Sequence, residues 1–104
     1  MIFVDKNLLV SIKRLKSQLS ELIEPDFGLL DQLVSFQVLT RREVADVRSE
    51  KTVFRRCDAL LDLLSSDVQC RKFVIALQRT NQQHIVNFIV CNGGQKTIVS
   101  NIHK

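Results

Sequence analysis

Apolar residues along this chain recur at intervals of three and four positions far more often than in alternation. Such spacing places them on one face of an α-helix, because the helix has 3.6 residues per turn. Proline occurs once, at Pro25, and the glycines are Gly28, Gly93 and Gly94. With few helix breakers and no sustained alternating pattern, the sequence predicts an all-α domain with short turns.

The first two helices are separated by the single proline. We predict the first over Asp5 to Ile23, with Asp5 as its N-cap and Ser11 as a candidate bend. Proline disfavours helical geometry in the residue before it, so the second helix starts afresh over Asp26 to Phe36, capped by Asp26. The expected buried residues are Leu8, Ile12, Leu15, Leu19 and Leu22 in the first helix, and Phe27, Leu30, Leu33 and Val34 in the second.

The start of the third helix has the clearest local signal. Thr40-Arg41-Arg42-Glu43 has the S/T-x-x-E form of a capping box, in which the threonine hydroxyl and the glutamate carboxylate each accept a hydrogen bond from a backbone amide at the helix start. Val44 and Val47 should face inward, and the helix should end near Ser49.

Three more helices complete the predicted bundle. The fourth spans about Thr52 to Ser65, the fifth is capped by Asp67, and the sixth starts at Thr80-Asn81 and stops at Gly93-Gly94. Their expected core positions are Val53, Cys57, Leu60, Leu61 and Leu64, then Cys70, Phe73, Val74 and Leu77, then Ile85, Phe88 and Ile89. The sequence thus predicts one six-helix domain over residues 1–92, followed by a polar tail or the start of a linker over 93–104.

Composition agrees with a single globular domain outside the membrane. The chain has 104 residues, 45% of them apolar, and a formal net charge of +4. No apolar run approaches the ~18 residues that a membrane span requires, and the acidic Asp5 argues against a secretory signal. We therefore expect a cytoplasmic protein. Its cysteines, Cys57, Cys70 and Cys91, are odd in number and not spaced as metal ligands. Each falls on or beside the apolar face of a predicted helix, so we expect small, reduced, core-lining side chains.

No set of residues converges on a catalytic, metal or cofactor-binding site. His84 and His103 lack a second ligand at helical spacing, and Asp58 with Asp62 is typical of a solvated helix face. Gly93-Gly94 is not followed by the lysine of a phosphate-binding loop. The sequence therefore predicts a protein that is not an enzyme and that binds no cofactor.

Nucleic-acid binding is the alternative that the positive charge suggests. Helices two and three could mimic a helix-turn-helix, but the helix that would enter the groove carries Glu43 and Asp46, which repel phosphate. No run of five basic residues occurs either. Nucleic acid is therefore an unlikely partner.

The charges are sorted by helix. A basic patch is expected where helices one and four meet, and a more acidic patch on helices two and three, although Arg41 and Arg42 dilute the acidic one. The basic residues are Lys13, Lys16, Arg55 and Arg56, and the acidic residues are Asp26, Asp31, Glu43 and Asp46. Opposite patches let a domain bind its own kind head to tail, and such a contact can grow into rings or filaments. Ordinary solubilising charge is the alternative explanation.

Several ordered segments make the chain resemble the caspase-recruitment domain family, a branch of the death-fold superfamily. The resemblance covers about Asp5 to Val90. It rests on Val38-Leu39-Thr40-x-x-Glu43, Ala59-Leu60-Leu61-Asp62-Leu63-Leu64, Phe73-Val74-x-Ala76-Leu77, Thr80-Asn81-Gln82 and Ile85-x-x-Phe88-Ile89. The chain departs from the family pattern at Arg41 and Arg42, and in lacking a proline before helix four.

The resemblance implies an antiparallel six-helix bundle with a bent first helix. It also implies homotypic binding to another caspase-recruitment domain in a caspase, a receptor or an adaptor of apoptotic or innate-immune signalling, including inflammasome and NF-kappaB complexes. Lys13, Arg55 and Arg56 fall at or near the family's basic contact positions, and Asp31 and Glu43 at or near the acidic ones. A decoy that caps the partner's filaments is an alternative. Reversing Lys13 or Arg56 is expected to abolish association and leave the fold intact.

Overall fold

The computed structural model describes residues 7–92, and the predicted all-α class is confirmed there. Within that range the chain forms seven helices and no strand. The helices are α1 Leu8–Arg14, α2 Lys16–Leu22, α3 Leu29–Ser35, α4 Arg41–Arg48, α5 Val53–Leu63, α6 Asp67–Arg79 and α7 Gln83–Asn92. The count exceeds the predicted one because the expected first helix consists of α1 and α2.

The first helix is interrupted at Leu15, not at the candidate bend Ser11. Leu15 has φ −93° and ψ 9°, which takes it out of α-helical geometry between α1 and α2. Its amide still donates to the Ser11 carbonyl at 3.0 Å, so the chain bends without leaving the bundle. The apolar stripe continues across the bend, because Ile12 and Leu19 on either side are both fully buried. The predicted cap Asp5 lies outside the described residues.

The second predicted helix begins three residues later than expected. Gly28 precedes α3 with φ +106°, a left-handed conformation that favours glycine. Asp26 therefore lies in the connection before α3 and does not cap it. Phe27, predicted to be buried, is 82% exposed, and the core position is taken by Leu29.

Side-chain caps start three of the later helices. The Thr40–Glu43 capping box is present as predicted, with the Glu43 amide 3.0 Å from Thr40 Oγ1 and the Thr40 amide 2.9 Å from Glu43 Oε1. Thr52 caps α5 by accepting a hydrogen bond from the Arg55 amide at 3.0 Å. The prediction that Asp67 caps the next helix was wrong by one residue, since Ser66 Oγ accepts from the Gln69 amide at 3.1 Å.

Asp67 has a tertiary role instead. Its Oδ1 atom accepts a hydrogen bond from the Leu9 amide at 2.8 Å, so it satisfies a backbone donor that the first turn of α1 leaves without an intrahelical partner. The first residue of α6 is thereby tied to the start of α1.

The core lies between α2 and α5 on one side and α6 on the other. α2 packs along α5, α4 packs against α5, and α6 contacts α1, α3 and α7. Most predicted core residues are buried, but Leu22 and Val53 are 45% and 42% exposed, and Val34 and Phe88 are half-buried. The fully or almost fully buried side chains of largest volume are Phe73, Leu8, Ile12, Leu19, Leu29, Leu30, Leu33, Leu60, Leu61, Leu64, Leu77 and Ile85.

One buried amide joins the two halves of the bundle. Gln82 lies just before α7, and its side-chain Oε1 accepts from the Glu24 amide at 2.8 Å while its Nε2 donates to the Glu24 carbonyl at 3.0 Å. Glu24 precedes Pro25 in the connection from α2 to α3, where backbone groups have no helical partners. Gln82 therefore supplies both hydrogen bonds that this stretch of backbone needs.

The last helix begins later than predicted. Thr80 is the C-cap of α6, and Asn81 has φ +66°, so the helix starts at Gln83. The predicted stop at Gly93-Gly94 and the tail 93–104 lie outside the described residues. In the part of the chain that the structure describes, none of the helices is long and apolar enough to cross a membrane.

Candidate protein-interaction surface

Charge is divided along α5, and the neighbouring segments carry the opposite charge. Arg55 and Arg56 lie in the first half of α5, and Asp58 and Asp62 in the second. Lys16 at the start of α2 contacts the acidic half, and Asp26, beyond α2, contacts the basic half. Several residues of the predicted patches are therefore paired within the chain.

Lys16 is held by two carboxylates of α5. Its Nζ atom lies 3.2 Å from Asp58 Oδ1 and makes a closer contact to Asp62 Oδ1. The hydrogen bond to Asp62, with help from Asp58, raises the pKa of Lys16 against the lowering effect of burial. The ammonium group therefore stays charged at neutral pH, but two anions surround it. Asp58 and Asp62, which the sequence suggested to be merely solvated, are its partners.

Lys13, on α1, is anchored to the backbone of α5. Its Nζ atom donates to the Leu61 carbonyl at 2.6 Å, near the C-terminus of α5, where cations are favoured by the helix dipole. The side chain is half-buried and makes no ion pair in the described residues, so its positive charge is not neutralised.

Arg56 is partly enclosed, with a side chain that is 19% exposed. Its Nη1 atom donates to the Glu50 carbonyl at 2.8 Å, and its Nε atom lies 3.4 Å from Asp26 Oδ1, too poorly aligned for a hydrogen bond. Asp26, assigned to the acidic patch from sequence, therefore lies against a residue of the basic one. Reversing Arg56 would remove the carbonyl contact and set two carboxylates together, so we now expect it to destabilise the fold.

Arg55 differs from the other three predicted basic residues. It is exposed and makes no ion pair or side-chain hydrogen bond with the residues that the structure describes. Lys51, in the turn before α5, is exposed and equally free of such contacts. We call Lys51 and Arg55 the basic end of the α4–α5 hairpin.

The predicted acidic residues are distributed over two places besides Asp26. Asp31 Oδ1 lies 3.2 Å from Arg48 Nη2 in an exposed pair between α3 and α4. Glu43 belongs to the capping box, and Asp46 is exposed with no ion pair among the described side chains. Glu43 and Asp46 line a shallow surface depression between α4 and α5, which we call the acidic depression. It is lined by Glu43, Asp46, Val47, Glu50, Ala59, Asp62 and Leu63.

Two carboxylates of the acidic depression were missing from the predicted acidic patch. Glu50 was not assigned to that patch, although Glu43, Asp46 and Glu50 follow i, i+3, i+7 spacing, which places them on one side of a helix and its end. Asp62 lies on another helix, and its presence here depends on how α4 packs against α5. The sequence therefore held a local signal for Glu50 and none for Asp62.

Two of the three cysteine thiols, those of Cys57 and Cys70, are buried and therefore poorly reactive. Desolvation raises the pKa of both Cys57 and Cys70 to about 12, and Cys57 also donates to the Ile23 carbonyl at 3.3 Å. The prediction of core-lining cysteines is confirmed for these two residues. It was wrong for Cys91, which is exposed on α7.

The cysteines should separate cleanly in a labelling experiment. Because the thiolate is the reactive form, Cys57 and Cys70 should resist an aromatic disulfide reagent at pH 8, while the exposed Cys91 reacts at once. Absorbance should therefore report one fast thiol in the native protein and three in guanidinium chloride. Three fast thiols without denaturant would contradict the buried placement.

The described residues contain no group of three or more His, Cys, Asp and Glu side chains arranged to hold a metal ion. His84 is exposed on α7, and His103 lies outside the described range.

Comparison with known proteins gives one match. The family model of the caspase recruitment domain matches residues 9–89, which is more than half of the chain. No curated protein and no solved structure matches significantly.

Proposed function

The chain belongs to the caspase recruitment domain family, and we propose that it recruits a caspase, receptor or adaptor through complementary surface charge. Domains of this family are interaction modules that bind other caspase recruitment domains, and they are not catalytic. The proposal places the complex in apoptotic or innate-immune signalling in the cytoplasm. An open head-to-tail contact would allow it to grow into a filament.

The observation that carries this proposal is the exposure of Arg55. Lys16 and Arg56 form ion pairs within the chain, and Lys13 is half-buried, whereas Arg55 is exposed without a partner in the described structure. A partner's carboxylate can therefore reach Arg55 without displacing an existing contact. On the acidic side Asp46 has the same properties, so we assign the leading roles to Arg55 and Asp46.

The remaining predicted residues receive secondary roles. Asp26, Asp31 and Lys16 would each have to exchange an intrachain ion pair for one with the partner. Exposed ion pairs contribute only about 0–1 kcal/mol each, so such an exchange yields little net affinity. The side chains of Lys13 and Glu43 are hydrogen-bonded to backbone groups, so they add to the local field rather than provide the principal contact.

A matched pair of charge reversals tests the assignment. Arg55→Glu should weaken binding at least about tenfold, equivalent to about 1.4 kcal/mol, because it replaces attraction with repulsion at the contact. Arg71→Glu makes the same change at an exposed site on α6, outside the α4–α5 hairpin, and should leave affinity unchanged. Interferometry against purified caspase recruitment domains from one caspase, one receptor and one adaptor gives the measurement.

Salt provides the second criterion for the same experiment. Wild-type affinity should fall as ionic strength rises, since exposed charges are screened over about 8 Å at 0.15 M. Equal losses in the Arg55 and Arg71 variants, or an unaltered affinity of the Arg55 variant for every partner that the wild type binds, would remove the charge-contact model.

A further inference from the structure

We propose that a second copy of this chain docks on the α4–α5 face by two-fold symmetry, the basic end of each copy lying over the acidic depression of the other. The inference rests on the proposed function for the roles of Arg55 and Asp46. Homotypic binding alone specifies neither that the partner is a second copy of this chain nor that the contact is two-fold symmetric.

Both signs of charge lie on one side of the hairpin. Arg55, Ala59 and Asp62 follow i, i+4, i+7 spacing in α5, so their side chains share a helix face. At 1.5 Å per residue, Arg55 and Asp62 are separated by about 10 Å along the helix axis. Ala59 and Asp62 line the acidic depression, and Arg55 lies about one turn before Ala59 and two turns before Asp62.

The charges are also ordered along this face. α4 and α5 pack against each other and are joined by a short turn, so they run in opposite directions. Lys51 occupies the turn, while Glu43 and Asp46 lie on α4 and line the depression with the later half of α5. The face therefore runs from the basic end to the acidic depression, and Glu50 is the residue of the depression next to Lys51 in the chain.

A face of this kind is complementary to itself after a half-turn. In a two-fold contact residue i of one copy meets residue j of the other, and j meets i, so one charge pair is used twice. Rotation about an axis near Ala59 brings Arg55 of each copy toward the carboxylates of the other. A head-to-tail contact instead joins two different patches, so each copy keeps one patch free to bind a third copy.

The centre of the face suits close approach. Ala59 is the smallest side chain along this face of α5, and it lies beside Val47 and Leu63 in the depression. Helices approach most closely where contacting side chains are small, and interfaces have apolar centres with polar rims. Two positive charges oppose the contact, Lys16 on Asp62 and the exposed Arg42 one turn before Asp46, against four carboxylates around the depression.

Sedimentation velocity on the full chain, from about 10 μM to 1 mM at low and physiological salt, tests the symmetry. The wild type should form dimers that do not grow further and that dissociate as salt is added. Arg55→Glu and Asp46→Arg should each be monomeric by itself, because like charges meet at both copies of the contact. Arg71→Glu should dimerise as the wild type does.

Mixing the two reversed variants distinguishes this proposal from other contacts. In an equimolar mixture, each copy carries the charge that the other lacks, so a mixed dimer should appear with no larger species. Assemblies that grow beyond the dimer, in the wild type or in the mixture, would refute the two-fold arrangement but agree with the head-to-tail form of the proposed function. A wild type that is monomeric at every concentration would refute self-docking and leave the partner-binding experiment to decide the proposed function. Circular dichroism of each variant verifies the fold.

Discussion

Replacing Phe73 with alanine is expected to lower the free energy of unfolding by about 3–5 kcal/mol. Phe73 is fully buried on α6, the helix that contacts α1, α3 and α7, so the loss of the ring leaves a cavity that several helices line. Domains of this size are stable by only about 5–15 kcal/mol, and each kcal/mol shifts the melting temperature by about 4–8 °C. Thermal unfolding should therefore begin at least about 12 °C lower.

Phe27 provides the matched control for this substitution. Phe27→Ala removes the same ring from a site that is 82% exposed, so its effect should stay within about 0.5 kcal/mol. Guanidinium unfolding monitored by circular dichroism gives both values. Similar losses in the two variants would show that Phe73 is not the buried core residue that the structure describes.

Phe73, Leu22 and Val53 show how far helical periodicity can predict burial. Phe73 lies in the interior of a helix, where a stripe of apolar residues has neighbours above and below it, and its burial was predicted correctly. Leu22 is the last residue of α2 and Val53 the first of α5, and both are exposed although they continue their stripes. Periodicity predicts which face of its helix a side chain occupies. It does not predict whether a neighbouring helix extends far enough to cover a side chain at the terminus of that helix.

Helix starts were predictable only where the signal is local. The Thr40 capping box involves residues three apart, so the sequence contains the whole motif. The start of α3 depends on the left-handed conformation of Gly28, and the neighbouring Asp26 offered an equally plausible cap in sequence. The bend at Leu15 coincides with no proline or glycine, so no local signal in the sequence predicted it.

Charge signs could be taken from the sequence, but charge pairings could not. Lys16 and Asp62 are 46 positions apart, and their contact exists only because α2 packs along α5. Arg56 and Asp26 were assigned to opposite patches and proved to be neighbours. The residues that remain free, Arg55 and Asp46, could be identified only after these pairings were known.

Gln82 is the polar residue whose loss should affect stability most. Its side-chain amide makes two hydrogen bonds to the backbone of Glu24 and a third to Thr80 Oγ1 at 3.1 Å, and the residue is 6% exposed. It therefore acts as a tether between the α6–α7 turn and the connection that precedes Pro25. A local cap satisfies the end of one helix, whereas this amide joins segments 58 positions apart.

Gln82→Ala is expected to lower the free energy of unfolding by about 2–4 kcal/mol. The backbone amide and carbonyl of Glu24 lose their partners at about 1–2 kcal/mol each, the lower part of the usual range, because Glu24 is only half-buried. Gln83→Ala removes the same side chain from an exposed position, where its single hydrogen bond to Asn87 is worth about 0.2–0.5 kcal/mol. Hydrogen exchange adds a local criterion, since the Glu24 amide should lose protection in the Gln82 variant by more than the global loss of stability explains. If the Glu24 backbone amide exchanges no faster than the global change predicts, the Gln82 side chain contributes by packing and is not a tether. The connection that carries Asp26 toward Arg56 is then held by the buried Pro25 and Ile23 instead.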